Sequence, residues 1–300
     1  MKRLLQTAAT LAVVGAAWGL AERRWFVLRH RTLPVLRGAD ASTLRVLHLS
    51  DLHLVAGDRR MARFIHQSLA HGPDLVVVTG DIVGHPDAID DAVDLLGAVG
   101  ADRPAVAVLG SNDRYGPVLR NPLRYLVSPT RTHPGVRLDT EHLVVGLKEA
   151  GWHVLRNERT TVRTAIGDID VVGLDDPHIG ADSPDQVDWT PHAGDGPLRL
   201  GVVHAPYVDV IDRFAGEGLD LALAGHTHGG QVRVPFVGAL TTNCDLPLDM
   251  ARGATRYTDR MWLHVSAGLG TSRFAPVRFA CRPEASILDL VGRRMAFDAL

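Results

Sequence analysis

The feature that most constrains the fold is a pair of histidines, His226 and His228, at the end of an apolar run. Residues 219–224 form a short apolar run bounded by Gly225, which is typical of a buried strand. The two histidines follow at once, with two more glycines behind them. Side chains at i and i+2 of an extended chain point to the same side, and glycine lets the backbone bend tightly. The pattern therefore predicts a loop that directs two imidazole nitrogens at a metal ion.

Four other apolar runs also end in polar side chains. They are residues 45–50, followed by Asp51 and His53; residues 74–81, ending in Asp81; residues 105–109, followed by Asn112; and residues 198–203, followed by His204. Helical patterns at 61–70, 88–99, 141–150 and 208–215 lie between these predicted strands. Strands that alternate with helices indicate a layered α/β domain, and in open sheets of this class ligands bind beyond the carboxyl ends of the strands. We therefore expect the five polar clusters to meet at one site.

The side chains of these clusters are typical metal ligands. They are the carboxylates of Asp51 and Asp81, the imidazoles of His53, His204, His226 and His228, and the amide of Asn112. A single zinc ion takes four ligands and oxygen donors suit harder cations, so seven mixed donors favour two divalent ions that share a carboxylate. Asp81, at the end of the central predicted strand, is the candidate bridge.

The charge of such a site favours phosphate chemistry. The positive charge of two divalent ions exceeds the negative charge of two aspartates and a bridging hydroxide by about one unit. The site would therefore be positive, and an anionic phosphoryl group is a suitable guest. Metal coordination makes hydroxide available near neutral pH, and a second ion can hold the phosphoryl oxygens for in-line attack. No residue pattern indicates a covalent intermediate.

The composition limits the number of domains and the classes of binding partner that the chain can have. A chain of 300 residues with 46% hydrophobic residues can form one α/β domain with a large core. A net charge of −2 argues against nucleic-acid binding, which depends on clustered lysine and arginine. The two cysteines, Cys244 and Cys281, can either pair or stay free, so they do not fix the redox compartment.

The N-terminal segment is apolar and predicts an attachment to a membrane. Lys2 and Arg3 precede an apolar stretch at 4–21, which is marginal in length for a transmembrane helix and also long enough for a signal-peptide core. We predict an uncleaved transmembrane helix and a membrane-associated protein. Residues 1–43 would then be anchor or signal segment and linker, and residues 44–300 the catalytic domain.

A long connection at 115–135 contains four prolines and three arginines. A loop of this length in a compact domain is usually functional. Its arginines are either a solvated surface or part of a flap that reaches a substrate phosphate or a lipid.

Together the motifs resemble those of the calcineurin-like metallophosphoesterases, over roughly residues 45–270. The motifs in order are Asp51-x-His53, Gly80-Asp81, the Asn112 cluster, His204 and Gly225-His226-x-His228. The apolar N-terminal segment and the sequence Gly229-Gly230-Gln231 make the chain most similar to the membrane-associated bacterial branch.

The resemblance implies a fold and a ligand set. The implied fold is a four-layer sandwich, with two mixed β-sheets flanked by helices and a dinuclear site of Mn, Fe or Zn at its edge. By similarity, one ion takes Asp51, His53, Asp81 and His228, and the other takes Asp81, Asn112, His204 and His226.

One motif departs from the family. Gly110–Asp113 has the sequence Gly-Ser-Asn-Asp, where the family often has Gly-Asn-His followed by an acid. An ungapped match puts Ser111 at the ligand position, but we predict Asn112 as the ligand because an amide oxygen suits a hard cation better than a hydroxyl does. No histidine is then left to act as an acid, and Asp113 and His204 are the predicted catalytic residues.

The predicted function is dinuclear metal-dependent hydrolysis of a phosphoester by a metal-bound hydroxide. The substrate would be a phosphomonoester, a phosphodiester or a lipid-linked phosphate, with a membrane lipid as candidate partner and no nucleic acid. A lipid pyrophosphatase-like or nuclease activity is an alternative within the same chemistry. A metal-binding scaffold with little turnover is the alternative from another class.

Overall fold

The computed structural model describes residues 2–38, 42–116, 135–191 and 196–293. The helices are α1 (Lys2–Glu22), α2 (Arg59–Leu69), α3 (Ile89–Gly100), α4 (Thr140–Glu149) and α5 (Val208–Gly216). The strands of the first half are β1 (Val27–Leu36), β2 (Leu44–Leu49), β3 (Leu75–Thr79), β4 (Ala105–Val108), β5 (His153–Val154), β6 (Glu158–Thr164) and β7 (Gly167–Gly173). The others are β8 (Arg199–Val202), β9 (Leu221–Ala224), β10 (Arg233–Val234), β11 (Gly238–Ala239), β12 (Gly253–Arg256), β13 (Trp262–Val265) and β14 (Glu284–Gly292).

The strands form two mixed six-stranded sheets and one short hairpin. The first sheet has the order β1-β14-β2-β3-β4-β5, and the second has the order β12-β13-β9-β8-β7-β6. In the first sheet only the β14–β2 pair is antiparallel, and in the second sheet the two outer pairs, β12–β13 and β6–β7, are antiparallel. The central strands of both sheets are therefore parallel, so their carboxyl ends share one edge each.

The layers follow from the alternation of side chains along buried strands. On β3, Val77 packs between the two sheets, whereas Val76 and Val78 pack under α2, α3 and α4. On the second sheet, Val202 faces the first sheet, and Val203 packs with α5 on the outer side. A strand that is covered on both faces is apolar along its whole length, as these are. The result is a four-layer sandwich, as the resemblance implied.

The predicted helices are confirmed to within two residues at each end. Helix α2 begins after Asp58, whose carboxylate accepts a hydrogen bond from the Met61 N–H, and α4 begins after Asp139, which accepts from the His142 N–H. Each aspartate satisfies one of the N–H groups that the first helical turn leaves free. Local capping chemistry thus fixes where these two helices begin.

The segment before residue 44, predicted as anchor and linker, contributes a strand to the first sheet. Strand β1 pairs in parallel with β14, with Val27 opposite Glu284 and Leu33 opposite Leu290. Only the second half of β1 is buried, which is why its alternation is weak in the sequence. The linker interpretation is therefore wrong for the residues of β1, because pairing with a strand some 250 residues away leaves no local pattern.

The prediction of a transmembrane helix is also wrong. Among the helices of the described residues, none combines the length and the apolar character that crossing a membrane requires. Gln6, Thr7 and Thr10 interrupt the apolar run of α1. The end of α1 instead contacts the domain, where the buried carboxylate of Glu22 accepts hydrogen bonds from the N–H groups of Ala280 and Cys281. The predicted localisation through this helix is wrong for the same reason.

Two other expectations concern the loops. Most of the connection at 115–135, including its three arginines, lies outside the described residues. Cys244 and Cys281 are both buried and free, so they do not form the disulfide that the sequence allowed.

Candidate metal centre

The candidate site lies where the parallel strands of the two sheets end, and its loops are joined by backbone hydrogen bonds. The Asp51 N–H donates to the Gly80 carbonyl over 3.0 Å, and the His53 N–H donates to the Asp81 carbonyl over 2.9 Å. Across the second sheet, the Gly225 N–H donates to the His204 carbonyl over 2.9 Å. These contacts bring strand ends together as the sequence predicted.

Five of the predicted ligand residues adopt the left-handed backbone conformation. They are Asp51 (φ 47°), His53 (φ 43°), Asp81 (φ 50°), His226 (φ 67°) and His228 (φ 48°). This conformation is uncommon for residues with a Cβ and costs about 1–3 kcal/mol each when it is strained. His226 and His228 are therefore not in an extended chain. The expectation that their side chains point to the same side, as in a strand, is wrong. The turns aim each ligand separately.

Glycines make room for this close packing. A Cβ on Gly110 would lie 2.2 Å from Asp81 Oδ1, and a Cβ on Gly225 would lie 1.8 Å from Ser50 Oγ and 2.5 Å from Asp51 Oδ2. No real Cβ tolerates such distances, so the carboxylates can reach their positions only because these two residues lack a side chain.

The carboxylate of Asp81 stands between two imidazoles. Its Oδ2 lies 3.5 Å from His53 Nε2 and 3.5 Å from His204 Nε2. On the His53 side, His53 Nε2 is 3.2 Å from His228 Nε2, which in turn is 3.6 Å from Asp51 Oδ1. Two groups of residues each offer potential ligand atoms that all lie within 4.8 Å of one another. One group is Asp51, His53 and His228, and the other is Asp51, Asp81 and His204. These separations suit atoms that share a metal ion at about 2 Å each.

The backbone partners of two histidines decide which ring nitrogen faces the site. His204 Nδ1 donates to the carbonyl of Thr79 over 2.7 Å, so Nε2 faces Asp81. His226 Nε2 lies 3.1 Å from the backbone carbonyl of Asn243 and 3.2 Å from its side-chain amide, so Nε2 is engaged by Asn243 and Nδ1 is the ring nitrogen that could bind an ion. A ring nitrogen whose partner nitrogen donates to a carbonyl is the usual form of a histidine ligand.

The electrostatics of the site favour a positive charge next to Asp81. Burial raises the pKa of Asp81, but the charges of His204 and His53 and the hydrogen bond from Asn112 outweigh it and bring the pKa down to about 2. Burial lowers the pKa of His204, but Asp81, Asp176 and Asp51 outweigh it and raise the pKa to about 9. The carboxylates that favour a proton on His204 Nε2 would also favour a metal cation in place of that proton.

The donor set and one unsatisfied atom fit a metal ion. His204 Nε2 is fully buried and has no hydrogen-bond partner within the part of the chain that the structure describes. Buried polar atoms are almost always paired, and a metal ion at this atom would supply the partner. Carboxylate oxygens and neutral imidazole nitrogens together suit Mn, Fe and Zn.

Comparison with known proteins agrees with this chemistry. The family model described as calcineurin-like phosphoesterase matches residues 44–230. The chain belongs to the calcineurin-like phosphoesterases. It is a metal-dependent phosphoesterase of the α/β class, with a site formed by Asp and His residues.

Named relatives of this phosphoesterase come from several bacteria. Phosphodiesterase YaeI of Escherichia coli is 28% identical, over 97% of this chain and 98% of its own. UDP-2,3-diacylglucosamine pyrophosphatase LpxG of Chlamydia trachomatis is 24% identical, over 82% of this chain and 83% of its own. The crystal structure of TT1561 of Thermus thermophilus superposes with a TM-score of 0.44 at 11% identity, covering 76% of this chain and 91% of the other.

The atypical motif of this phosphoesterase places Asn112 against the central carboxylate. The Asn112 N–H donates to Asp81 Oδ1 over 2.8 Å, and its Nδ2 lies 2.7 Å from Asp81 Oδ2. Which amide atom faces Asp81 is interchangeable, so Oδ1 can take the same position beside an ion. Asn112 therefore lies against the candidate bridging carboxylate, and its role as a ligand stays a prediction. Ser111 serves the turn through its carbonyl, which accepts from the N–H groups of Arg114 and Tyr115.

The predicted catalytic acid, Asp113, has both carboxylate oxygens engaged. Oδ1 accepts from the Val83 N–H and Oδ2 accepts from the Gly110 N–H, each over 2.9 Å. Burial, with the charge of Asp81 adding to it, raises the pKa of Asp113 to about 7. The contacts show that Asp113 holds the loops after β3 and β4 together. Its role as an acid stays a prediction.

The sequence interpretation missed a further strand-end cluster, which follows β7. Asp176 is fully buried, one of its oxygens accepts from the His178 N–H over 2.9 Å, and the other has no partner among the described residues. The His178 ring lies 4.4 Å from the His226 ring, centroid to centroid. The sequence contains the signal for this cluster, because Asp175 and Asp176 directly follow an apolar run, as in the other clusters.

Proposed function

We propose that this phosphoesterase holds two divalent metal ions and hydrolyses a phosphodiester or phosphomonoester, including one that is linked to a lipid. The proposed ligands are Asp51, His53, Asp81 and His228 for one ion, and Asp81, Asn112, His204 and His226 for the other. The observation that carries the proposal is the position of Asp81 Oδ2, 3.5 Å from one imidazole nitrogen of each set. An oxygen in that position can serve both ions at once.

When bound, two such ions would supply a nucleophile from water and positive charge for the phosphoryl oxygens. The protein's own part is to fix the ligands. Asn112 donates to Asp81 and holds the plane of its carboxylate, and the Thr79 carbonyl holds the ring of His204. The buried Ser50 hydroxyl donates to Asp51 Oδ2 over 2.6 Å and fixes that carboxylate in the same way. The site is therefore organised before an ion or a substrate enters.

An exposed apolar hairpin beside the site supports an amphiphilic substrate. Strands β10 and β11 follow the loop of His228, and Arg233 Nη1 donates to the Gly229 carbonyl over 2.8 Å. Phe236, at the hairpin tip, is fully exposed, and Val237 is 73% exposed. Exposed apolar patches mark sites that bind apolar groups. One relative is named as a pyrophosphatase of a diacylated sugar nucleotide, and an acyl chain of a lipid-linked substrate fits such a surface.

The proposal is tested with the full-length protein loaded with Mn²⁺. An activated aryl phosphodiester tests hydrolysis itself, because a good leaving group needs no protein acid, and a metal-binding scaffold would leave it intact. Metal analysis of the same sample measures whether two ions are bound. Retention of metal without hydrolysis of any phosphoester in a panel would refute the proposed function.

The lipid-linked substrate is tested separately. Replacement of Phe236 and Val237 by serine should raise KM for an acylated phosphodiester and leave kcat/KM for the aryl phosphodiester unchanged. Val145→Ser, at an exposed position on α4, is the matched control. Equal effects of the hairpin variant on both substrates would contradict the role of the hairpin.

A further inference from the structure

Three arginine side chains lie around Gly229, the residue that follows the proposed ligand His228. Arg233 Nη1 donates to the Gly229 carbonyl over 2.8 Å, and Arg278 Nη1 donates to the His228 carbonyl over 2.9 Å. The side chain of Arg252 also lies against Gly229, because a Cβ on this glycine would be 3.3 Å from Arg252 Cδ. Three positive charges therefore gather beside the loop of His228.

The three arginines have no counter-charge of their own. Among the described residues, none of them forms an ion pair with a carboxylate, and Arg252 Nη1 lies 3.8 Å from the Cys281 thiol, which is a weak acceptor. Glu284 acts on Arg233 only at a distance, because its carboxylate already accepts from Arg29 and from the Ala267 N–H, each over 3.2 Å. The cluster is therefore positive.

Two of the three guanidinium groups are within reach of a ligand. Arg233 and Arg252 are half-buried, whereas Arg278 is fully buried and can contribute only its charge. Burial lowers the pKa of Arg233, and the charge of Arg252 lowers it further, so these two groups repel each other. A bound anion would remove this repulsion, and the planar fork of a guanidinium matches two oxygens of a phosphoryl group.

The position of Arg233 connects the proposed metal centre with the apolar hairpin. Arg233 begins β10, between His228 and the exposed tip at Phe236, and it pairs with Ala239 of β11. A substrate that extends from the metal centre to the hairpin would pass this arginine. An anionic group next to the hydrolysed phosphoryl group would then meet the arginine cluster.

We propose that Arg233 and Arg252 form an anion subsite that binds the second phosphoryl group of a diphosphate substrate, next to the phosphoryl group that is hydrolysed. This inference names a substrate class for the proposed function and rests on that function. Diphosphate diesters are then preferred to monophosphate diesters, because only the former carry a group for the arginines.

The first test is a calorimetric titration of the full-length, metal-free protein with inorganic phosphate, which has the chemistry of the second phosphoryl group. The wild type should bind phosphate, and Arg252→Gln should weaken the binding by ~10-fold, since a hydrogen bond between charged groups is lost. Arg252→Lys should recover part of the loss, because it keeps the charge but not the fork. Arg252 is preferred to Arg233 as the variant, because Arg233 also holds the Gly229 carbonyl.

Arg282→Gln is the matched control for the loss of one positive charge. Arg282 is next to Cys281 in the chain, but its guanidinium donates to the carbonyls of Trp25 and Phe26. This variant should bind phosphate as the wild type does. No phosphate binding by the wild type, or an equal loss in Arg252→Gln and Arg282→Gln, would overturn the subsite.

The second test compares two substrates of the Mn²⁺-loaded protein, a diphosphate diester and a monophosphate diester that release the same nitrophenolate. Arg252→Gln should raise KM for the diphosphate by ~10-fold more than KM for the monophosphate. Changes of equal size in both KM values would overturn the role of the subsite for a second phosphoryl group. Phosphate binding that depends on Arg252, without hydrolysis of any phosphoester, would instead refute the proposed function and support the anion site alone.

Discussion

Two groups of buried histidines lie on either side of Thr79 and differ in the partners of their ring nitrogens. Between the sheets, His48 Nδ1 lies 2.9 Å from His264 Nδ1, and His48 Nε2 lies 3.0 Å from the Thr79 hydroxyl. At the end of β3, the Thr79 carbonyl accepts from His204, whose other nitrogen has no hydrogen-bond partner among the described residues and lies 3.5 Å from Asp81 Oδ2. Both environments are buried, but only the second leaves a nitrogen available.

The charges around the two groups differ in the same sense. Burial lowers the pKa of His264 to about 3, with the charge of Arg31 acting in the same direction. Burial also acts against a charge on His204, but Asp81, Asp176 and Asp51 overcome it and raise the pKa to about 9. Burial alone therefore does not distinguish a core histidine from a ligand. The distinguishing feature is a ring nitrogen that has no hydrogen bond among the described residues and faces carboxylates.

The largest expected effect comes from the carboxylate that defines the second group. Asp81→Ala should lower the affinity for both ions by more than the ~10–100-fold that follows loss of a hydrogen-bond partner of a ligand, because both proposed sets share Asp81. Activity should fall with metal content, measured by metal analysis of the dialysed protein. Asp289→Ala, at an ion pair with Arg45 away from the site, should keep both ions. Two retained equivalents in Asp81→Ala would contradict a bridging role.

Replacing one histidine of each group by alanine tests the comparison directly. His204→Ala should remove one equivalent of metal, whereas His264→Ala should keep two equivalents and lower the free energy of unfolding by about 1–3 kcal/mol, because His48 Nδ1 is left buried and unpaired. Metal analysis and urea unfolding at pH 7 measure both quantities. Loss of metal in His264→Ala with unchanged stability would break the comparison.

The Asn112 contact gives a smaller effect that sharpens the boundary of the site. Asn112→Ala should weaken one ion by ~10–100-fold, since it removes a proposed ligand and a donor to Asp81. Ser111→Ala should leave both Kd values unchanged, because no ligand is lost. The opposite pattern, with metal lost only in Ser111→Ala, would show that the ungapped match to the family is correct.

The smallest effect is a difference in the pH dependence of stability of the metal-free protein. The pKa of His264 is lower in the folded than in the unfolded protein, so its contribution is present above pH 6.5 and is lost as the pH falls toward 3, at up to about 1.4 kcal/mol per pH unit. The pKa of His204 is raised, so its contribution is present below pH 6.5 and is lost as the pH rises through about 9.

Urea unfolding at several pH values measures both slopes. His264→Gln should flatten the dependence between pH 6.5 and 4 only, and His204→Gln should flatten it between pH 6.5 and 9 only. Equal changes in both windows for either variant would show that the two environments are not distinct.

The parts of the fold that the sequence predicted are those with a local signal. The strands that lead to Asp51, Asp81 and His204 are short apolar runs with polar ends, and they were placed correctly. Strand β1 and the packing of α1 were missed, because they depend on partners near residues 280–292 that local periodicity does not reveal. Asp176 carried the same signal as the other clusters but lay outside the family pattern.

The sequence by itself determined which side chains gather at the strand ends, because strand periodicity and the order of the motifs are local properties. Only the tertiary structure decided which nitrogen each imidazole presents and what charge surrounds it. The Thr79 carbonyl that orients His204 is 125 residues away in the chain, and the Arg278 guanidinium that contacts His228 is 50 residues away. A hydrogen bond fixes a ring through the atom it meets in space, and no spacing in the sequence encodes that atom.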